Sequence, residues 1–317
     1  VRQLDRWLDS MRSPAGYAGP VAHWWQNCLQ YTGAGLDWRY EGIIQGYLTL
    51  YRNTGGRAWL AKARRAGDDL VQGQLAGGNF RCSNFEANPY PGGTPHEAAC
   101  DVGLLALAQV LKEARDPAWS RYAGAAERNL KAFLLGGLWR PEGGFFSNDP
   151  HSALFVLNKA ATIVEVLFAW AELSGETRLY EEYGLPSLAS ILANQVRAPG
   201  RLLDGAFDQG AQAGKAAGAY YPYYNARCIP ALLTGYRWTR QARYLDAARA
   251  GMGFLLRMRL PDGSFPQVIY HNQKVNRYPQ WVAGAGDILR AMDLLEQQDT
   301  RVDQEPTRQW LFRGLDG

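Results

Sequence analysis

The sequence predicts an all-α chain, a ring of about five helical hairpins, and two periodic markers carry that reading. A glycine-rich turn closing on an aromatic recurs at Gly16-Tyr17, Gly78-Asn79-Phe80, Gly143-Gly144-Phe145, Asp204-Gly205-Ala206-Phe207 and Asp262-Gly263-Ser264-Phe265. The aromatics are 63, 65, 62 and 58 residues apart. A second marker is an aromatic that restarts the chain after a short break such as Thr54-Gly55-Gly56, Asp116-Pro117 or Ser174-Gly175. It falls at Trp59, Trp119, Tyr180 and Tyr244, spaced 60, 61 and 64. Two independent markers share one period, so the repeat is real.

Each repeat reads the same way. The restart aromatic opens an Ala/Leu-rich outer helix, as from Trp59 to Gln74 or from Tyr244 to Met258. The glycine turn ends it, because glycine accepts the positive φ of a helix C-terminus. A loop rich in Pro, Asn, Gly and Tyr comes next, and then a more apolar inner helix. Inner helices are expected to start near Trp38, Pro95, Leu157, Tyr223 and Gln280. The third, with Ile163, Val164, Val166, Leu167, Phe168 and Trp170, is apolar nearly all round, as a buried helix should be. No strand alternation of useful length is visible, and any β structure is expected only as short pieces at the glycine turns. Residues 1–317 read as one domain, with 301–317 as a closing piece beginning near Trp310-Leu311.

Composition narrows the function. The chain has 317 residues, 47% of them hydrophobic and 20% charged, which fits a globular protein rather than a disordered one. No apolar run approaches the roughly 18 residues of a membrane span, and no membrane partner is expected. The net charge of +4 comes from 28 Arg and 6 Lys against 30 acids, with the arginines scattered rather than striped. That argues against nucleic acid as a partner. Eleven Trp, 17 Tyr and 11 Phe among 35 Gly suit a cleft that stacks flat faces such as sugar rings. Cys28, Cys82, Cys100 and Cys228 lie far apart with no C-x-x-C pair, so isolated buried thiols are expected. The start at Val1, without a signal-like segment, leaves both a processed secreted protein and a cytoplasmic one open.

The DG-x-F turns, the inner helices ending in Ser/Thr-Gly and the aromatic-Leu restarts resemble the α/α-toroid superfamily. That group includes six-hairpin glycosidases, polysaccharide lyases, N-acylglucosamine 2-epimerase-like proteins and, more distantly, terpenoid cyclases. The resemblance covers nearly the whole chain, but it is architectural. It implies that the long loops and the N-terminal ends of the inner helices share one face, where a funnel binds substrate. The sequence agrees in one respect, since His23, His96, His151 and His271 all fall between a glycine turn and an inner helix. His96 stands at a helix start in Thr94-Pro95-His96-Glu97. These histidines lack metal-ligand spacing, and neither a metal nor a cofactor is expected.

The sharper signal is a set of carboxylates. Aligning Trp59 with Trp119 places Asp37 on Glu97 and Glu41 on Asp101, so two inner helices each carry acids at i and i+4. Asp37 and Glu97 read equally as helix-capping acids at the rim. Glu41 and Asp101 lie deeper, among Ile43, Ile44, Val102, Leu104 and Leu105, where an acid needs a partner or a cavity. A glycosidase needs one acid to protonate the leaving oxygen and one carboxylate to activate water or attack the sugar. The expected catalytic set is therefore Asp37, Glu41, Glu97 and Asp101, with His96 beside them. Asp149 and Asp208 add loop acids on the substrate side.

A competing chemistry uses other residues. A polysaccharide lyase or sugar epimerase would draw on Tyr or His with Arg or Asn. These gather in Tyr220-Tyr221-Pro222-Tyr223-Tyr224-Asn225-Ala226-Arg227 and between His271 and Arg277-Tyr278. Tyr224, Arg227, His271 and Arg277 are thus expected to bind substrate, together with Arg39 and His151. The arginines favour an acidic, uronate-containing oligo- or polysaccharide. Trp24 and Trp281 are expected sugar platforms. Gly67-Asp68-Asp69 lacks the setting of a terpenoid-cyclase box, and no phosphate loop, G-x-S-x-G elbow or dinucleotide fingerprint occurs. A non-catalytic or hydrophobic-ligand toroid is the third class.

Overall fold

The computed structural model describes residues 1–13, 15–23, 28–81, 97–212 and 215–316. Contacts group the chain into two units interleaved in sequence. The first holds Val1–Trp139, Phe146–Ser152 and Val166–Tyr180, and the second holds Arg140–Phe145, Ala153–Glu165 and Glu181–Gly317.

In the first unit, α1 (Arg2–Met11) precedes two helical pairs, α2 (Arg39–Thr54) with α3 (Arg57–Gln72) and α4 (Glu97–Glu113) with α5 (Trp119–Arg128). The division of labour tracks the apolar pattern. The Leu- and Ala-rich α4 buries every residue from Glu97 to Leu105 and most of the rest up to Leu111, whereas α3 buries only Ala63, Ala66, Gly67 and Leu70. Gly55 closes α2 at φ 67°, a left-handed position that glycine takes without strain. Trp59 then restarts the chain by stacking on Tyr47, with centroids 5.9 Å apart and planes at 16°. The restart aromatic is therefore a packing device that fixes the second helix of a pair against the first. Past Arg128 the helix continues in a wider π-helical stretch, Asn129–Leu138.

In the second unit, α6 (Leu157–Ser174) contributes its first half, followed by α7 (Leu185–Ala193), α8 (Pro222–Thr239), α9 (Ala242–Met258), α10 (Val282–Glu296) and α11 (Glu305–Asp316). Here α8 packs on both α9 and α10. The first helices of the repeats begin at Arg39, Glu97, Leu157, Pro222 and Val282, each within two residues of its expected start.

The glycine turns are held alike in both units. Gln74 Nε2 donates to the carbonyls of Gly78 and Ala125, both at 2.8 Å. Gln195 Nε2 donates to those of Gly205 and Ala247, both at 2.9 Å. Gly78 and Gly205 also lie against the backbone of the next covering helix, at Arg128 and Ala250. A Cβ on Gly205, at φ 81°, would sit far inside contact distance of the Ala250 carbonyl group. Gly205→Ala should therefore destabilise the fold by about 3 kcal/mol, read from denaturant midpoints. An unchanged midpoint would contradict this role of the turn.

One expectation is corrected. Gly16–His23 and Cys28–Gly35 form an antiparallel hairpin, with Tyr17 opposite Gly35 and a register shift between Tyr17 and Gly19. Its strands carry Gly16, Gly19, Gly33, Gly35 and Pro20, which erase the apolar/polar alternation that would have announced them.

Candidate active site

The acids at the start of α2 and α4 come together in the first unit. Asp37, just before α2, is fully buried and held by its near neighbour. Arg39 Nε and Nη2 donate to its two oxygens at 2.8 and 2.6 Å, and the Arg39 backbone N–H donates at 3.1 Å. Burial pushes the Asp37 carboxyl up, and the bonds and charge of Arg39 pull against that. Glu97 is also fully buried, and its Oε2 accepts the Phe80 N–H at 2.9 Å and a bond from Asn129 Nδ2 at 2.8 Å. Asn225 at the start of α8 holds the Phe207 turn in the same manner, accepting its N–H at 2.5 Å and donating to its carbonyl at 2.9 Å. Glu97 thus anchors a repeat turn. The expected rim position of Asp37 and Glu97 is corrected, because both lie inside and serve neighbouring groups.

Asp101 is different. It lies in the first turns of α4, four residues beyond Glu97, fully buried, with neither carboxyl oxygen hydrogen-bonded among the described residues. Burial first, and then the charge of Glu97, drives its carboxyl well above the usual range. Two residues on, Gly103 lets α4 close onto α2. A Cβ there would lie 3.3 Å from the Tyr40 carbonyl oxygen and 3.5 Å from the Glu41 Cα. Glu41, 7% exposed, is the less enclosed acid of the group, with Gln45 Nε2 at 3.5 Å from its Oε1. Cys100 sits among them, 3.2 Å from the Asp37 carbonyl oxygen. Burial pushes its thiol up, and the charges of Asp37, Asp101, Glu97 and Glu41 add to that. The charges of all four expected acids therefore act on one buried thiol, and Asp101 has no hydrogen-bond partner among the described residues.

The remaining expected residues divide. Asp208 is buried and organises its loop, accepting N–H bonds from Gly210 (3.1 Å), Ala217 (3.0 Å) and Gly218 (2.8 Å). Asp149 accepts the His151 N–H at 2.9 Å. Burial pushes the Asp149 carboxyl up, but bonds from Ser152, His151 and Asn148 hold it below the usual range. His151 itself is exposed, as are His271 and Arg277. Half-buried Tyr224 belongs to a tyrosine cluster with Tyr221 and Tyr223, and Tyr223 stacks on Trp281 at 4.8 Å and 16°. Arg227 donates to Thr162 Oγ1 at 3.0 Å and to Asp287 Oδ1 at 3.1 Å. Arg39 and Arg227 thus each face a carboxylate, which offsets the positive charge expected of them. Trp24 and His96 lie outside the described residues.

Sequence reading missed a charged network in the second unit. Glu165 on α6, 7% exposed, is paired with Arg290 on α10. In the same unit Arg227 binds Asp287 and Thr162. A usable signal was present: Glu165 stands alone among Ile163, Val164, Val166 and Leu167, where an acid requires a partner. Among the described residues no group of three or more His, Cys, Asp or Glu is placed to hold a metal ion. No helix among them is long and apolar enough to cross a membrane.

No family model and no curated protein matches the sequence. Solved structures do match in fold. A D-mannose isomerase aligns over 98% of this chain and 82% of its own, at 12% identity and TM-score 0.70. An unsaturated glucuronyl hydrolase specific for heparin aligns over 98% and 79%, at 13% identity and TM-score 0.67. An inactive variant of the α-1,6-mannanase of Salegentibacter sp. HEL1_6, in complex with α-1,6-mannotetrose, aligns over 98% and 83%, at 12% identity and TM-score 0.66. At these identities the likeness is one of fold: the chain has the α/α-toroid fold.

Proposed function

We propose that this protein is a carbohydrate-active enzyme that hydrolyses glycosidic bonds, with Asp101 as proton donor and Glu41 as the second carboxylate. The observation that carries the reading is the setting of Asp101, a buried carboxyl with no hydrogen-bond partner among the described residues, pushed well above the usual range by burial and by the charge of Glu97. A folded chain keeps such a group at a cost, and a general acid needs that state. In the step proposed, Asp101 gives its proton to the leaving glycosidic oxygen as the bond to the anomeric carbon breaks. Glu41 takes a proton from the water that adds to that carbon. Asp37, bound to Arg39, and Glu97, bound to the Phe80 turn, hold the two helix starts in register and take no part in proton transfer. The heparin-specific glucuronyl hydrolase and the α-1,6-mannanase among the structural neighbours support hydrolysis.

A second reading is sugar isomerisation or epimerisation, favoured by the D-mannose isomerase at TM-score 0.70. The same acids would then move a proton between carbon and oxygen without breaking a glycosidic bond. One experiment separates the two. Oligosaccharides of mannose and glucose are incubated with the protein in D2O, and products are followed by reducing-end assay and NMR. Hydrolysis yields new reducing ends with no deuterium on ring carbon. Deuterium at C2 with no new reducing ends replaces the hydrolase reading by the isomerase one.

A further inference from the structure

The second unit holds a buried polar side chain that nothing in the fold uses. Gln267 is 1% exposed, and neither its amide nitrogen nor its amide oxygen has a hydrogen-bond partner among the described residues. Native chains rarely leave both ends of a carboxamide unmatched, because each lost bond carries the full desolvation penalty. The Trp281 indole N–H is buried and unmatched as well. The segments that carry these two run side by side. Gln267 leads into the strand Val268–Tyr270, which pairs with Ala219–Tyr220, the segment that runs into α8. Tyr223, in the first turn of α8, stacks on Trp281. Gln280 Nε2, next to Trp281, donates to Ser264 Oγ at 2.7 Å, three residues before Gln267.

We propose that Gln267 and Trp281 form a recognition site for the hydroxyl groups of a neutral sugar ring. A carboxamide sets a donor beside an acceptor, which matches two adjacent sugar hydroxyls that each give and take a bond. The indole N–H supplies a further donor at the edge of an aromatic cluster, the setting in which sugar rings are bound. Charge in this region disfavours a uronate. Burial and then the charge of Asp208 push the Tyr220 hydroxyl up, and Tyr220 pairs with Ile269 two residues from Gln267. A sugar carboxylate would meet that negative charge, and the nearby cation of Arg227 is engaged with Asp287.

This inference rests on the carbohydrate reading but is tested by binding rather than turnover. The probes are D-mannose, cellobiose and D-glucuronate, titrated into the full chain by calorimetry and tryptophan fluorescence. The intact protein should bind a neutral probe in preference to D-glucuronate. Gln267→Met should weaken that binding at least tenfold while raising Tm by about 2–4 °C, because an unmatched amide is removed from the interior. Trp281→Phe, which keeps the stack on Tyr223 and loses the N–H, should weaken binding severalfold without raising the response to D-glucuronate. Unchanged neutral-sugar binding in both Gln267→Met and Trp281→Phe overturns the site and leaves the hydrolase reading standing. Binding of D-glucuronate alone, or of no probe, overturns the proposed ligand class. Turnover lost in Asp101→Asn would even then uphold the hydrolase reading.

Discussion

Asp101→Asn is expected to lower turnover by roughly 10²-fold or more while the fold survives, and Glu41→Gln is expected to do the same. The amide keeps the shape of the acid but has no proton of the right acidity to give. The same substitution should leave a mark on stability that a bystander would not. The Asp101 carboxyl in the folded chain titrates well above its ordinary value of about 3.9. The folded state therefore keeps a proton that the unfolded chain gives up. That favours folding fully below the unfolded pKa and is lost as pH rises through the folded one. The amide that replaces the acid has no proton to lose, so the variant should gain stability relative to the intact protein as pH rises above about 4. Urea melts at a series of pH values read this directly. A difference that stays flat with pH would mean that Asp101 titrates normally.

Arg290→Ala is expected to destabilise the fold by about 3–5 kcal/mol, because it strands the Glu165 carboxylate in the interior of α6. The cost belongs to the unpaired charge rather than to the pair. A double replacement, Glu165→Leu with Arg290→Met, should therefore recover most of the loss. Denaturant midpoints of the two singles and the double form a cycle that isolates the coupling. A single-substitution cost below about 1 kcal/mol would place this pair with exposed ion pairs, which contribute little.

These two sites differ in how far the sequence announces them. The period of the turns and of the restart aromatics locates the helix starts closely, because each marker does a local job. Gly55 takes a left-handed φ and Trp59 stacks on Tyr47 within one repeat. The acid pairs on α2 and α4 are equally legible, since i and i+4 share a helix face whatever packs against it. What each acid does is not local. Glu97 looks like a first-turn acid until its carboxylate is seen holding the Phe80 N–H, a role filled by Asn225 in the second unit. Arg39 reads as a funnel cation, yet it turns back two residues to Asp37. Glu165 and Arg290 are 125 positions apart, and no spacing rule links them. Gln267 gave no signal at all, because an unmatched amide is visible only once its surroundings are known.

A proton donor at position 101 must carry its proton at neutral pH in the folded protein. Infrared difference spectroscopy between the intact protein and Asp101→Asn reads that state without reference to any substrate. The substitution should remove a protonated-carboxyl carbonyl band at neutral pH. In the intact protein this band should persist until the pH is well above the ordinary carboxylate range. Loss of an ionised-carboxylate band instead would contradict the assignment and remove Asp101 as the proton donor.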